Sequence, residues 1–344
     1  MELFGLSIAL LALFISFGFM VGVLFGFFGM GGSFLITPTL LLLDYPASVA
    51  IGSGLAFYFG TSVIAVLKHY DVGEVDYRLG AILFVVLSIG IELGSRLVFG
   101  LEALGIANLV TGVAYVVLLA GIGALFLRRA ANLKAEDELE AENEAVSDEE
   151  IPPIARKIQS YTVPPMISLT SGGRASIWTI TSAGGGVGLV SGLIGVGGGF
   201  IRMPAIYYVI GTPLSAAVGT SLFAGLFSGA FGTFTYGMSG SVDLTVVSLL
   251  LVGSALGARI GSAATTIVDE DNVIVYFGLM MVLASAGIGI SELANWLGTD
   301  ALDVVSVFLL VGSSFAVALM ILYQAYQSIG ADDTRTQPAP KGGD

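Results

Sequence analysis

Read from its N-terminus, the chain is a succession of long apolar runs separated by short polar ones. Residues 3–28, 47–67, 79–99, 108–127, 176–201, 214–236, 244–267, 272–291 and 302–323 form nine such runs, each with few charges. Coiled as a helix at about 1.5 Å per residue, each run can cross a hydrocarbon layer about 30 Å thick. Hydrocarbon offers the backbone no hydrogen-bond partners, so each run is predicted to be an α-helix that satisfies its own N–H and C=O groups. The fold class that follows is all-α, a polytopic transmembrane helical bundle. No basic residue precedes the first run, and the run is longer than the core of a cleavable leader, so it is read as a retained span.

The glycines reveal an internal duplication. Gly18, Gly22, Gly26, Gly29, Gly31 and Gly32 recur 166 residues later as Gly184, Gly188, Gly192, Gly195, Gly197 and Gly198, and Phe34 and Pro38 recur as Phe200 and Pro204. After one inserted residue, Pro46, Ser48, Ala50 and Gly52 return as Pro213, Ser215, Ala217 and Gly219. Gly73-Glu-Val-Asp76 likewise returns as Gly240-Ser-Val-Asp243. An ordered series of this length marks two copies of one unit. The expected organisation is a first transmembrane repeat over 1–128, an acidic cytoplasmic linker over 129–175 and a second repeat over 176–291. An additional C-terminal helix follows in 292–328, then a tail at 329–344 expected to be disordered.

Each repeat holds two kinds of glycine cluster. Gly18, Gly22 and Gly26, with their counterparts Gly184, Gly188 and Gly192, recur every fourth residue and form a stripe that lets helix backbones pack closely in lipid. Gly29-Met-Gly-Gly32 and Gly195-Val-Gly-Gly-Gly199 are too dense for a stable helix, since each glycine costs about 1 kcal/mol relative to alanine. A short apolar segment follows each of them, 33–43 and 200–210, and reaches only about half a bilayer. This predicts a helix broken within the membrane and resumed as a half-helix. Such backbone survives at that depth only when buried in protein or lining a polar cavity, and paired breaks in two repeats point to a transport site. Half-helix N-termini present N–H groups and a positive dipole end, which favours an anion.

Charge sharpens this picture at few positions. Arg202 stands in the second short segment where the first has Ile36. Three roles suit a guanidinium there: contact with an oxyanion, an ion pair within the protein, or snorkelling to an interface. Glu92 and Arg259 occupy equivalent places in the two repeats and are candidates for an ion pair or a coupling site, although Glu92 also lies four residues before Arg96 on its own helix. The candidate substrate-binding set is Gly29, Gly31, Gly32, Ser33, Gly195, Gly197, Gly198, Gly199 and Arg202.

Composition closes off other classes. Only 11% of residues are charged against 55% hydrophobic, too few to coat a soluble domain. The chain has no cysteine and a single histidine, His69, which excludes a disulfide framework, a thiolate nucleophile and a Cys/His metal centre. No catalytic group, metal, cofactor or nucleic-acid partner is expected, and no Walker motif signals ATP hydrolysis. The net charge of −13 is concentrated between Glu136 and Glu150, which is expected to be a solvated linker. Abundant acid beside only four lysines suits a halophilic, salt-rich cytoplasm.

Gly29-Met-Gly-Gly-Ser-Phe-Leu-Ile-Thr-Pro38 and Gly195-Val-Gly-Gly-Gly-Phe-Ile-Arg-Met-Pro204, on either side of a polar linker, resemble the sulfite exporter TauE/SafE family of membrane transporters. Gly253-Ser-Ala-Leu-Gly-Ala-Arg-Ile-Gly261 resembles it too, whereas Ser33 departs from the second copy's glycine triplet. The resemblance implies movement, chiefly export, of sulfite, organosulfonates or related sulfur-containing anions across the plasma membrane. A secondary transporter is the leading expectation, and a passive anion channel would share the paired breaks. Lys68 and Arg78 lie in the loop 68–78, while the equivalent loop 235–245 has no basic residue, so the repeats are expected to be inverted.

Overall fold

The computed structural model of the protein describes residues 2–3, 6–28, 33–68, 75–140, 163–170, 174–265, 267–268 and 270–335. A short antiparallel pair, β1 (Glu2–Leu3) and β2 (Leu6–Ser7), precedes α1 (Ile8–Phe28). Then come α2 (Ser33–Leu42), α3 (Ala47–Lys68), α4 (Tyr77–Ala103) and α5 (Ala107–Glu140). An antiparallel hairpin, β3 (Met166–Ser168) and β4 (Arg174–Ser176), leads into α6 (Ile177–Ile194) and the short α7 (Gly199–Pro204), which continues as π-helical turns over Ala205–Ile210. The chain proceeds through α8 (Leu214–Met238), α9 (Leu244–Ala264), α10 (Glu270–Leu297) and α11 (Asp300–Val307). A π-helical turn, Phe308–Gly312, joins α11 to α12 (Ser313–Arg335). Among the described residues, nine helices are long and apolar enough to cross a membrane, the last running from α11 into α12. Their outer faces carry exposed apolar side chains such as Leu93, Val117, Phe234, Val252 and Phe308, a surface suited to lipid.

Three boundaries differ from the apolar pattern. The first span starts at Ile8 rather than residue 3. The run 176–201 is not one helix, because Gly195 adopts φ +72° and caps α6 after Ile194. Helix α5 continues past residue 127 to Glu140, into the stretch expected to be linker. Hydrophobicity ends there, but Ala, Leu, Lys and Glu are all strong helix formers and carry the backbone on. The hairpin is likewise docked rather than free: Leu169 and Ala175 are buried, and Thr170 N–H donates to Asp76 Oδ2 at 2.6 Å. The acids at 141–150 lie outside the described residues.

Glycine stripes set the helix pairs. A Cβ added at Gly18, Gly22 or Gly26 of α1 would overlap the backbone of Leu250, Ser254 or Ala258 of α9, and Gly253, Gly257 and Gly261 meet α1 in return. The contacts advance in step, so α1 and α9 run parallel. Gly188 and Gly192 of α6 meet Leu87 and Ile91 of α4 in the same parallel sense. By contrast, Gly229 and Gly232 of α8 approach Tyr58 and Leu55 of α3 in descending order, so these two helices are antiparallel. The same holds for α5 and α10, where Gly112 meets Glu292 and Gly123 meets Gly278. Gly52 and Gly60 of α3 face Ser241 and Leu251, which makes α3 parallel to α9 and hence to α1. Helices α1 and α3 therefore point the same way, and the segment holding α2 must carry the chain back between them. Helix α2 is buried from Ser33 to Leu40 at the centre of the bundle.

Two aspartates begin helices in the same way. Asp76 Oδ1 accepts the N–H groups of Arg78 and Leu79 at the start of α4, and Asp243 Oδ1 accepts those of Thr245 and Val246 at the start of α9. The backbone N–H of Asp76 donates to Thr220 Oγ1 on α8, and that of Asp243 donates to Ser53 Oγ on α3, each at 3.0 Å.

Candidate functional site

The break between α6 and α7 is built from residues that only glycine can supply. Gly197 and Gly198 take φ of +64° and +73°, a region disfavoured for L-residues by about 1–2 kcal/mol. Ending a helix leaves carbonyls without intrahelical partners, and burial makes each of them costly unless paired. Here four carbonyls around the break find side-chain donors. Gly192 O accepts from Tyr236 Oη at 2.6 Å, Ile194 O from Tyr115 Oη at 2.5 Å and Val196 O from Ser33 Oγ at 2.6 Å. Gly197 O accepts from Arg202 Nη1 at 3.3 Å. The bond from Ser33, the first residue of α2, brings the two short segments side by side.

Arg202 is only 2% exposed, so its guanidinium does not snorkel to solvent. Besides Gly197 O, its Nε donates to Ser221 Oγ at 3.1 Å and its Nη2 to Tyr58 Oη at 2.7 Å, with Cζ 5.9 Å from the Tyr58 ring centroid. Among the described residues no carboxylate pairs with it. Tyr58 comes from α3 and Ser221 from α8, while Gly225, one turn further along α8, lets both groups in: a Cβ there would overlap Arg202 Nη2 and Tyr58 Oη. Nearby, Thr37 of α2 is fully buried with its Oγ1 beside the Tyr115 hydroxyl, yet among the described residues it makes no hydrogen bond of good geometry.

Of the residues singled out from sequence, Ser33, Gly195, Gly197, Gly198, Gly199 and Arg202 lie together at this junction, whereas Gly29, Gly31, Gly32 and His69 lie outside the described residues. Glu92 is not brought to Arg259. It accepts from Arg96 Nε at 2.9 Å on the surface of α4, and Arg259 lies on an exposed face of α9. Tyr58, Ser221 and Gly225 escaped the sequence reading. The usable signal lay in the offset of 167, at which Tyr58 aligns with a different residue, Gly225. An open groove of about 850 Å³ between α6 and α7 has largely apolar walls, including Trp178, Val187, Ile201 and Val209, and Arg202 is not among them.

Comparison with known proteins agrees with this membrane architecture. A protein from Xylella fastidiosa (strain 9a5c) named "Probable membrane transporter protein" is 28% identical over 252 residues, covering 72% of this chain and 82% of that one. "Probable membrane transporter protein YunE" of Bacillus subtilis (strain 168) is 25% identical over 274 residues, covering 77% and 92%. "Probable membrane transporter protein MJ0441" of Methanocaldococcus jannaschii is 37% identical over a shorter stretch of 75 residues, 20% of this chain and 28% of that one. No solved structure is significantly similar to the chain. The model of one family, described as Sulfite exporter TauE/SafE, matches residues 14–288. A multi-pass helical protein whose relatives are named as membrane transporters, and whose sequence fits that model over most of its length, belongs to the sulfite exporter TauE/SafE family.

Proposed function

We propose that the protein is a secondary transporter that exports small anions, such as sulfite, organosulfonates or related sulfur oxyanions, across the plasma membrane. The observation that carries this reading is Arg202, a buried guanidinium that no described carboxylate neutralises. Such a charge is costly in a membrane interior, and a site that loads and unloads an anion obtains the compensating charge from its substrate. The junction around it also supplies hydroxyls from Tyr58, Ser221, Ser33 and Thr37. The family's name and the names of the relatives point the same way.

We further infer that residues 1–128 and 176–291 are inverted copies, each with a helix broken at its glycine cluster, and that the linker 129–175 faces the cytoplasm. Three facts support inversion. Helices α3 and α8, which hold equivalent places in the repeat, are antiparallel, as are α5 and α10. The pairing of α1 with α9 is mirrored by that of α6 with α4. The bonds from Asp243 to Ser53 and from Asp76 to Thr220 exchange partners between halves, as a two-fold axis in the membrane plane requires.

Counterflow of sulfite, sulfate, sulfoacetate and taurine in proteoliposomes tests the transport reading. Saturable exchange, weakened by Arg202→Lys and retained in Ile36→Val, is the expected result, because lysine replaces a fork with a point charge. Flux that never saturates would make the protein a channel, and Arg202→Ala with unchanged affinity would remove the anion site. For topology, Tyr77→Cys and Leu244→Cys place thiols at equivalent, exposed positions. Labelling of both from the same side of the membrane would rule out inversion.

A further inference from the structure

Tyr58 is the least explained member of the junction. It is buried, its ring lies against Gly197 and Gly229, and its hydroxyl lies against Gly225 and accepts from Arg202 Nη2. A phenol that accepts a hydrogen bond keeps its own proton to donate. A guanidinium has five N–H donors, and Arg202 spends three of them on Ser221, Gly197 and Tyr58. Among the described residues, two N–H groups of Arg202 and the O–H of Tyr58 are thus left over, one hydrogen bond apart and buried.

From this count we infer that Tyr58 determines the class of anion the site prefers. Arg202 takes two oxygens of the bound anion and the Tyr58 hydroxyl donates to a third. Pyramidal and tetrahedral heads with three oxygens, such as sulfite and sulfonates, are then favoured over two-oxygen carboxylates. Ser221 is a positioning residue, since its Oγ accepts from Nε and fixes the rotation of the fork. Gly225 is the space in which Arg202 and Tyr58 meet. The inference rests on the anion-transport reading above and adds to it the residue that discriminates among anions.

The test uses the purified full chain and competition of methanesulfonate and acetate against radiolabelled sulfite. Methanesulfonate is expected to compete better than acetate in the wild type. Tyr58→Phe keeps the ring packing and removes one donor to a charged acceptor, so binding of sulfite and methanesulfonate should weaken about tenfold or more. Acetate should change by less than about twofold on the same reasoning. Ser221→Ala should weaken all three alike. Equal losses for acetate and methanesulfonate in Tyr58→Phe, or no loss in either, overturn the assignment. Should that variant fail to fold, Gly225→Ala, whose methyl would part Tyr58 from Arg202, is expected to lose the same preference, and an unchanged preference there overturns it too. Wild-type protein that binds neither sulfite nor methanesulfonate would sink the anion reading itself. Binding lost in Arg202→Ala but intact in Tyr58→Phe would sink only the role of Tyr58.

Discussion

Replacing Gly22 with alanine probes the tightest helix pair of the fold. A Cβ on Gly22 would stand 2.5 Å from Ser254 O and 2.7 Å from Ser254 Cα, where ordinary contact begins at 3.4 Å. Helices α1 and α9 would have to part there by about 0.9 Å, the shortfall between those distances. They could not do so locally, because Gly18 and Gly26 make equally close approaches one turn away on either side. Forcing an extra methyl group into a packed interior costs about 1–3 kcal/mol. Alanine also returns up to about 1 kcal/mol of helix propensity, which complicates a single measurement. Gly121→Ala removes that complication: Gly121 lies within α5, and a Cβ there meets nothing within 4 Å. Both variants share the propensity gain, so their difference isolates the packing cost. Purified protein in mild detergent, heated in steps and scored by the monodisperse fraction surviving size exclusion, ranks the two. Unfolding in detergent is irreversible, so the ranking is the observable rather than an equilibrium free energy. Gly22→Ala should fail several degrees below Gly121→Ala. If the two variants fail at the same temperature, close backbone packing does not hold α1 to α9.

The same assay serves the remaining variants. Ser53→Ala and Thr220→Val each strand the backbone N–H of an aspartate, at a cost of about 1–2 kcal/mol, so each should fail at a lower temperature than the wild type; the double variant should rank below either one, because the two bonds share no partner. Gly198→Ala forces an L-residue to φ +73° with its Cβ 2.6 Å from Ser191 Oγ, and should be far less stable than Gly186→Ala, where nothing lies within 4 Å. Glu92→Gln breaks an exposed pair with Arg96, worth at most about 1 kcal/mol, and should leave stability and counterflow unchanged; a variant that binds anion but has lost coupled flux would restore Glu92 as a coupling group.

The spans were legible because hydrocarbon imposes one rule on every backbone group, and the apolar runs that obey it are long. The half-length of α2 was legible for the same reason, as was the local Glu92–Arg96 pair, which needs only helical spacing. Features governed by other forces were not. Helix α5 outlasts its hydrophobicity because propensity, not lipid, sustains its final turns. The docking of the hairpin at 166–176 depends on Asp76, which is distant in sequence. Within the site, the glycines and Arg202 were conspicuous as residues out of place in a membrane helix. Tyr58 and Ser221 were not, since one aromatic and one hydroxyl in an apolar run are ordinary, and only their convergence on Arg202 distinguishes them.

The match of Tyr58 with Gly225 bears on how such a chain could evolve. If the halves descend from one ancestral unit that paired with itself, that unit had the same residue at both places. Two tyrosines would now compete for one volume, because Tyr58 already fills the space that Gly225 leaves. Two glycines would leave that volume empty and Arg202 without its phenol. Ile36 and Arg202 pose the same dilemma, since two arginines would put a second uncompensated charge into the buried junction, whereas two isoleucines would leave none. On that descent, fusion would let the halves specialise in complementary directions until neither could assemble with a second copy of itself. Fusion would then work as a ratchet: expressed separately, the halves should associate with each other and not with themselves.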